Sequence, residues 1–174
     1  IYQINKRVAV TMAGGQGDSQ TVIRYLKAHS NLYEMEREKP LSPRAAITYL
    51  ANILNSNRYY PFMSFFLLGG FDKKPALFST DLVGGYSEVD TFASTGSGSE
   101  LALGVLEEKY EEGISEEKAI ELAIGSIKVS RKRDIYTGGD SIKVVVIDSS
   151  GTRELADNEV KRRLGEKEKV LQKK

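Results

Sequence analysis

The amino-acid sequence predicts an α+β fold in which antiparallel sheets and pairs of helices stack as a sandwich. Two observations predict it. Along the chain come a strand, two helices, three strands, two helices, a strand and a charged end, so helix pairs alternate with runs of strands. The three middle strands are consecutive and separated by Asp/Lys and Gly turns, which reads as an antiparallel meander rather than a doubly wound parallel sheet.

Each element has a local reason. Arg7 to Met12 is a β-rich run that meets a tight turn at Ala13-Gly14-Gly15. Asp18 or Ser19 is the expected cap of a helix whose stripe is Val22, Ile23, Leu26, His29 and Tyr33, stopped by Pro40. Ser42-Pro43 starts a second helix, because proline is tolerated in a first turn whose N–H groups lack partners. Its stripe is Ile47, Leu50, Ala51 and Leu54, and Asn55-Ser56-Asn57 ends it. Phe62 to Leu68 reads as a strand buried on both faces, followed by strands over Ala76 to Thr80 and Tyr86 to Ala93. A third helix starts near Ser99 and carries Leu101, Val105 and Leu106. A fourth opens at Ser115-Glu116-Glu117 and presents Ile120, Ala123, Ile124 and Ile127. Ile142 to Ile147 is a last apolar strand. The expected division is one domain over residues 1–155 and a charged tail over 156–174; Lys161 to Lys174 holds seven basic and two acidic residues and reads as a solvated end more than a basic arm.

Composition narrows the chemistry. With 40% hydrophobic and 28% charged residues, a chain of 174 residues can bury a core without staples. Twenty-five basic against twenty-four acidic residues leave a charge of +1, which creates no field for nucleic acid or anionic lipid. No apolar run approaches the roughly 20 residues needed to cross a bilayer. The chain has no cysteine and one histidine, so it lacks a thiolate nucleophile and the usual transition-metal ligands. His29 reads as a satisfied core imidazole, and no Gly-x-Ser-x-Gly elbow surrounds any serine. No cofactor is expected.

Three segments carry possible chemistry. Gly14 to Gly17 lies between a strand and a helix, where phosphate cradles occur. It lacks the last glycine of the dinucleotide fingerprint and the Gly-Lys-Ser/Thr of a nucleoside-triphosphate loop. A turn needing positive φ is the plainer reading, and the backbone N–H of Gly14 could also serve an oxyanion. Thr95-Gly96-Ser97-Gly98-Ser99 is either punctuation or a loop whose hydroxyls orient an amine or water. Asp134 ends a helix at the pole that disfavours acids, so a network role stands beside a surface accident.

Val8-Ala9-Val10-Thr11-Met12-Ala13-Gly14, Gly17-Asp18, Ala51-Asn52-Ile53-Leu54-Asn55, Tyr59-Tyr60-Pro61-Phe62 and Leu67-Leu68-Gly69-Gly70-Phe71-Asp72 follow one another in order. Thr95 to Ser99, Gly104-Val105-Leu106-Glu107, and Arg133-Asp134 with Gly138-Gly139 complete the series. In this order and spacing the chain resembles β subunits of the proteasome core particle, archaeal type. The resemblance implies the four-layer αββα sandwich of N-terminal-nucleophile hydrolases, and a threonine-type endopeptidase that degrades unfolded polypeptides. In such enzymes a terminal threonine attacks the peptide carbonyl and its own α-amino group acts as base. It further implies stacked heptameric rings of β and α-type subunits, a regulatory ATPase reached through the α rings, and a cytoplasmic particle.

By the resemblance, Gly14 supplies the oxyanion donor, Ser97 lies by the threonine amine, Asp134 is the family's aspartate, and Thr137 stands where a serine is usual. Met12 matches the floor of the primary specificity pocket, of a type preferring large apolar residues, and Gln16 borders it. The departure is at the start: Ile1 has no nucleophilic atom, and roughly thirty residues of the family pattern, two strands with their turns, would precede it. The expectation is a downstream portion of a longer or cleaved polypeptide. A non-catalytic ring subunit is the alternative role, and a nucleotide-binding α/β enzyme the alternative from another class.

Overall fold

In the computed structural model, which describes residues 1–165, alternation along two strands sets the main sheet. Val8 and Val10 of β2 (Val8–Gly14) and Phe66 and Leu68 of β3 (Ser64–Phe71) are fully buried on one face. Their alternate neighbours point the other way, as strand geometry requires. The sheet has five antiparallel strands in sequence order: β1 (Tyr2–Asn5), β2, β3, β4 (Pro75–Thr80) and β5 (Tyr86–Glu88). The meander expected of the three middle strands is therefore observed. Strand β1 extends it, with an irregularity between Gln3 and Asn5.

Helices α1 (Gln16–Arg37) and α2 (Pro43–Ser56) cover the buried face. Val22, Ile23 and Leu26 from α1 and Ile47, Leu50 and Leu54 from α2 join Val8, Val10, Phe66, Leu68 and Phe78 in one apolar core. Each such side chain contributes about 1.5–3 kcal/mol by leaving water. Ser42 caps α2 by accepting from the Ala45 N–H, with Pro43 at its first turn. A Cβ on Gly70 would strike Pro43, so glycine there lets α2 approach the sheet. Asn5, almost fully buried, ties β1 to the helices. Its Nδ2 donates to Ser30 Oγ at 3.0 Å and Leu41 O at 3.1 Å, and its Oδ1 accepts from Arg7 N at 2.8 Å.

On the other face lies a two-stranded sheet, β6 (Val145–Asp148) and β7 (Gly151–Glu154). Ile147 Cδ1 lies 3.5 Å from where a Cβ on Gly69 would stand. This corrects the reading of β3 as buried on both faces. Phe65 is 40% exposed and Leu67 only half-buried, because the small sheet covers less than the helix pair does. His29 is likewise not in the core. It is half-buried and stacked on Tyr49 at 3.7 Å, joining α1 to α2.

The chain divides into two compact units, Ile1–Gly96 with Val145–Arg153, described above, and Ser97–Val144 with the chain from Glu154. The second unit is built on α3 (Ser99–Lys109) and α4 (Glu116–Arg133). They pack on each other, with Ala102 and Leu106 of α3 and Ile120, Ile124, Ser126 and Ser130 of α4 buried, whereas Leu101, Ala123 and Ile127, expected on the stripes, are exposed. Helix α5 (Asp157–Leu164) packs on α4 through Val160 and Leu164, so residues 157–164 of the expected tail are helical. The remainder of Lys161 to Lys174, after Gly165, lies outside the described residues. The complement of antiparallel sheets and helix pairs is that of an αββα sandwich.

Candidate active site

Two of the segments singled out above are built by strong local constraints. Strand β2 ends at Gly14, whose φ of +111° is a conformation that only glycine adopts without strain. Space enforces the same choice: a Cβ there would run into the Met63 carbonyl oxygen. Gly15 N donates to that carbonyl at 2.6 Å, and Gly15 is the N-cap of α1. Asp18 and Ser19 are already inside the helix, which corrects the expected cap. Strand and helix are joined by Gly15 alone, so these side chains are released for the turn itself. Asp18 Oδ2 accepts from Met63 N at 2.9 Å, and buried Ser19 bonds Gly15 O at 2.9 Å and Ser64 Oγ at 2.8 Å. The Gly14 amide is thus carried on a cross-braced turn. An anion at the start of α1 would meet the Asp18 carboxylate, which disfavours the phosphate reading.

Met12 and Gln16 flank this turn. Met12, in β2, is half-buried against the apolar core, and Gln16 is the exposed first residue of α1. Gly96, also at positive φ, lies beside Ala13: a Cβ built on it would stand 3.4 Å from Ala13 Cβ.

In the second unit, Ser97, Asp134 and Thr137 meet. Asp134 is the C-cap of α4, with extended backbone and its N–H on Ser130 O at 2.8 Å. Its Oδ2 accepts from Ser97 Oγ at 2.5 Å and also from Thr137 Oγ1. Its Oδ1 faces the Tyr136 N–H at 3.4 Å. The Ser97 hydroxyl is the largest cause holding this carboxyl below its ordinary value of 3.8. Thr137 adds to it, and partial burial opposes the backbone N–H groups of Tyr136 and Thr137. Asp134 is therefore ionised at neutral pH, and the hydroxyls satisfy what the helix terminus cannot. A serine hydroxyl that donates to a carboxylate keeps lone pairs to accept from an amine. Such an array can orient a neutral amine base beside a reacting carbonyl.

Sequence reading gave no role of their own to two residues that border this cluster. Gly98, the N-cap of α3, has no room for a side chain, since a Cβ would lie 2.6 Å from Thr137 Oγ1 and 2.9 Å from Ser130 Cβ. Ser130, almost fully buried on α4, donates to Gly98 O at 2.9 Å. Two serines four residues apart, Ser126 and Ser130, on one side of α4 were the available signal. Among the described residues no group of acids and histidine could hold a metal ion, and no helix is long and apolar enough to cross a membrane.

Comparison with known proteins gives the family. The family model described as "Proteasome subunit" matches residues 1–147. "Proteasome subunit beta" of Methanocaldococcus vulcanius is 42% identical over 176 residues, covering 100% of this chain and 78% of that protein. "Proteasome subunit beta" of Methanospirillum hungatei is 47% identical over 161 residues, 92% of this chain and 77% of the relative. "Proteasome subunit beta 2" of Pyrococcus furiosus is 43% identical over 164 residues, 94% and 79% of the two chains. With the fold and the order of its motifs, these matches establish that the chain belongs to the proteasome subunit family, among β subunits of the archaeal type.

Proposed function

We propose that this chain is a catalytic β subunit, part of a threonine-type endopeptidase that cuts unfolded polypeptides inside a cytoplasmic ring assembly of β and α-type subunits. The observation that carries the reading is the pair of hydroxyls, Ser97 and Thr137, on one oxygen of Asp134. A subunit with only a structural role has no need of a carboxylate dressed in this way. In the reading, Ser97 accepts from the α-amino group of a terminal threonine and so orients it as base. Asp134 keeps the Ser97 and Thr137 hydroxyls pointed, and the Gly14 amide receives the developing oxyanion. Oxyanion donors of this kind are worth about 3–4 kcal/mol of barrier. Met12 would form the floor of the specificity pocket and Gln16 its rim, favouring a large apolar residue before the cut.

Ile1 carries no nucleophilic atom, and this reading assigns the attack to a terminal threonine. The test is hydrolysis of a fluorogenic peptide with a large apolar residue at the scissile position. The subunit assembled with its ring partners should turn it over, and the 174-residue chain alone should not. Turnover by the chain alone would sink the assignment of the nucleophile. An assembled particle in which this subunit never labels with a threonine-directed electrophile would favour the structural alternative.

A further inference from the structure

The last turn of α4 does more than deliver Asp134. Two adjacent residues just before it, Ser130 and Arg131, each hold one of the loops that bring a hydroxyl to that carboxylate. Ser130 Oγ donates to Gly98 O at 2.9 Å, one residue after Ser97, and less closely to Ser126 O at 3.3 Å. Arg131 Nη2 donates to Gly139 O at 2.6 Å, two residues after Thr137. The loops therefore take their positions from α4 itself, the helix that carries the acceptor. The space between them is fully used, as the close approach of Gly98 to Thr137 and Ser130 shows. Slack in either tether would be felt as a displaced hydroxyl. Packing offers no such reason for these residue types: a serine is a poor choice for a buried helix stripe, and an arginine spends side-chain entropy to reach a backbone carbonyl.

We infer that Ser130 and Arg131 are positioning residues for the reaction, acting through Asp134 by fixing the Ser97 and Thr137 loops on either side of it. The inference rests on the catalytic reading of Asp134 given above. Neither residue touches the reacting atoms. Gly98 O also accepts from Ala102 N at 3.1 Å, so removing the Ser130 hydroxyl leaves no orphaned carbonyl and Ser130→Ala should fold.

The experiment uses the full-length subunit assembled with its partners, with Ser130→Ala, Arg131→Met, Arg131→Lys and Asp134→Asn compared on one peptide substrate. Misplacement by a fraction of an ångström should lower kcat about tenfold in Ser130→Ala and Arg131→Met, with KM changed less than about twofold. Arg131→Lys, which keeps a donor, should recover part of the loss. In an Asp134→Asn background both changes should cost less than about twofold, because their effect runs through that carboxylate. Unchanged kcat in either single variant, raised KM at constant kcat, or full additivity with Asp134→Asn would overturn the inference. If Ser130→Ala does not assemble, Ser130→Cys, of similar size but a weaker donor, takes its place under the same criteria. Full activity in Asp134→Asn would instead refute the catalytic reading, so the two failures are distinct.

Discussion

Ser97 Oγ and Asp134 Oδ2 stand 2.5 Å apart across 37 positions of sequence, and Thr137 shares the same oxygen. Charge-assisted hydrogen bonds of this kind are shorter and stronger than neutral ones. Asp134→Asn keeps the shape but replaces the charge with a weaker acceptor and adds donors. Turnover of an apolar fluorogenic peptide by the assembled particle should fall about a hundredfold or more. Wild-type turnover in that variant would exclude Asp134 from the chemistry.

The same carboxylate sets a pH dependence with a definite sign. Its folded value lies below the ordinary 3.8, so ionisation favours the folded state. That stabilisation is complete above 3.8 and is lost as pH falls through the lowered value. Carboxyl carbon shifts followed by NMR should show Asp134 titrating below its ordinary value of 3.8, and flat around neutrality. Ser97→Ala removes the largest contributor, so it should move the titration upward.

Gly14→Ala tests the turn. The new Cβ would meet the Met63 carbonyl oxygen at a φ that L-residues avoid. Such strain costs about 1–3 kcal/mol, and overpacking adds a comparable amount. Urea denaturation should show a midpoint shift of that order. A neutral result would mean that the turn relaxes freely, and with it the placement of the amide.

Asn5→Ala removes a buried amide that serves Ser30, the Leu41 carbonyl and the Arg7 N–H at once. Leaving such groups short of partners costs about 1–3 kcal/mol. Thermal unfolding should fall accordingly, with hydrogen exchange accelerated first in β1.

Arg163→Met tests how α5 is held. The guanidinium faces Glu159 at 3.2 Å and Glu117 and Glu121 at 3.8 Å, and is 21% exposed. Its loss leaves three carboxylates facing one another. The cost should be about 1–2 kcal/mol, between that of an exposed and a buried pair, and smaller at high salt. Amide exchange in α5 reads it. Lys128, which donates to Leu164 O at 2.8 Å, should keep the helix end partly anchored.

What could be read from the sequence were features with a local cause. Periodic stripes identified the four larger helices, and Ser42-Pro43 and Ser115 gave two of their starts, because capping and amphipathicity are written within one or two turns. Short elements escaped. Tyr2–Asn5 and Gly151–Glu154 are four residues each and become strands only beside a partner. In Asp157–Leu164 the acids, bases and terminal Gly165 follow helix rules, but two apolar residues make too little period to announce a helix. The site was nameable only through the ordered resemblance: nothing in Thr95 to Ser99 or around Asp134 separates a catalytic loop from punctuation.

By itself, then, the sequence determined the layered class, the apolar stripes of the first two helices and the family, since each follows from the order of residues along the chain. Only the tertiary structure decided that Ser97 and Thr137 share one oxygen of Asp134, and that Ser130 and Arg131 hold their loops. Those contacts join segments 37, 32 and 8 residues apart, and hydrogen-bond geometry between separate loops is fixed by how helices pack rather than by any local propensity.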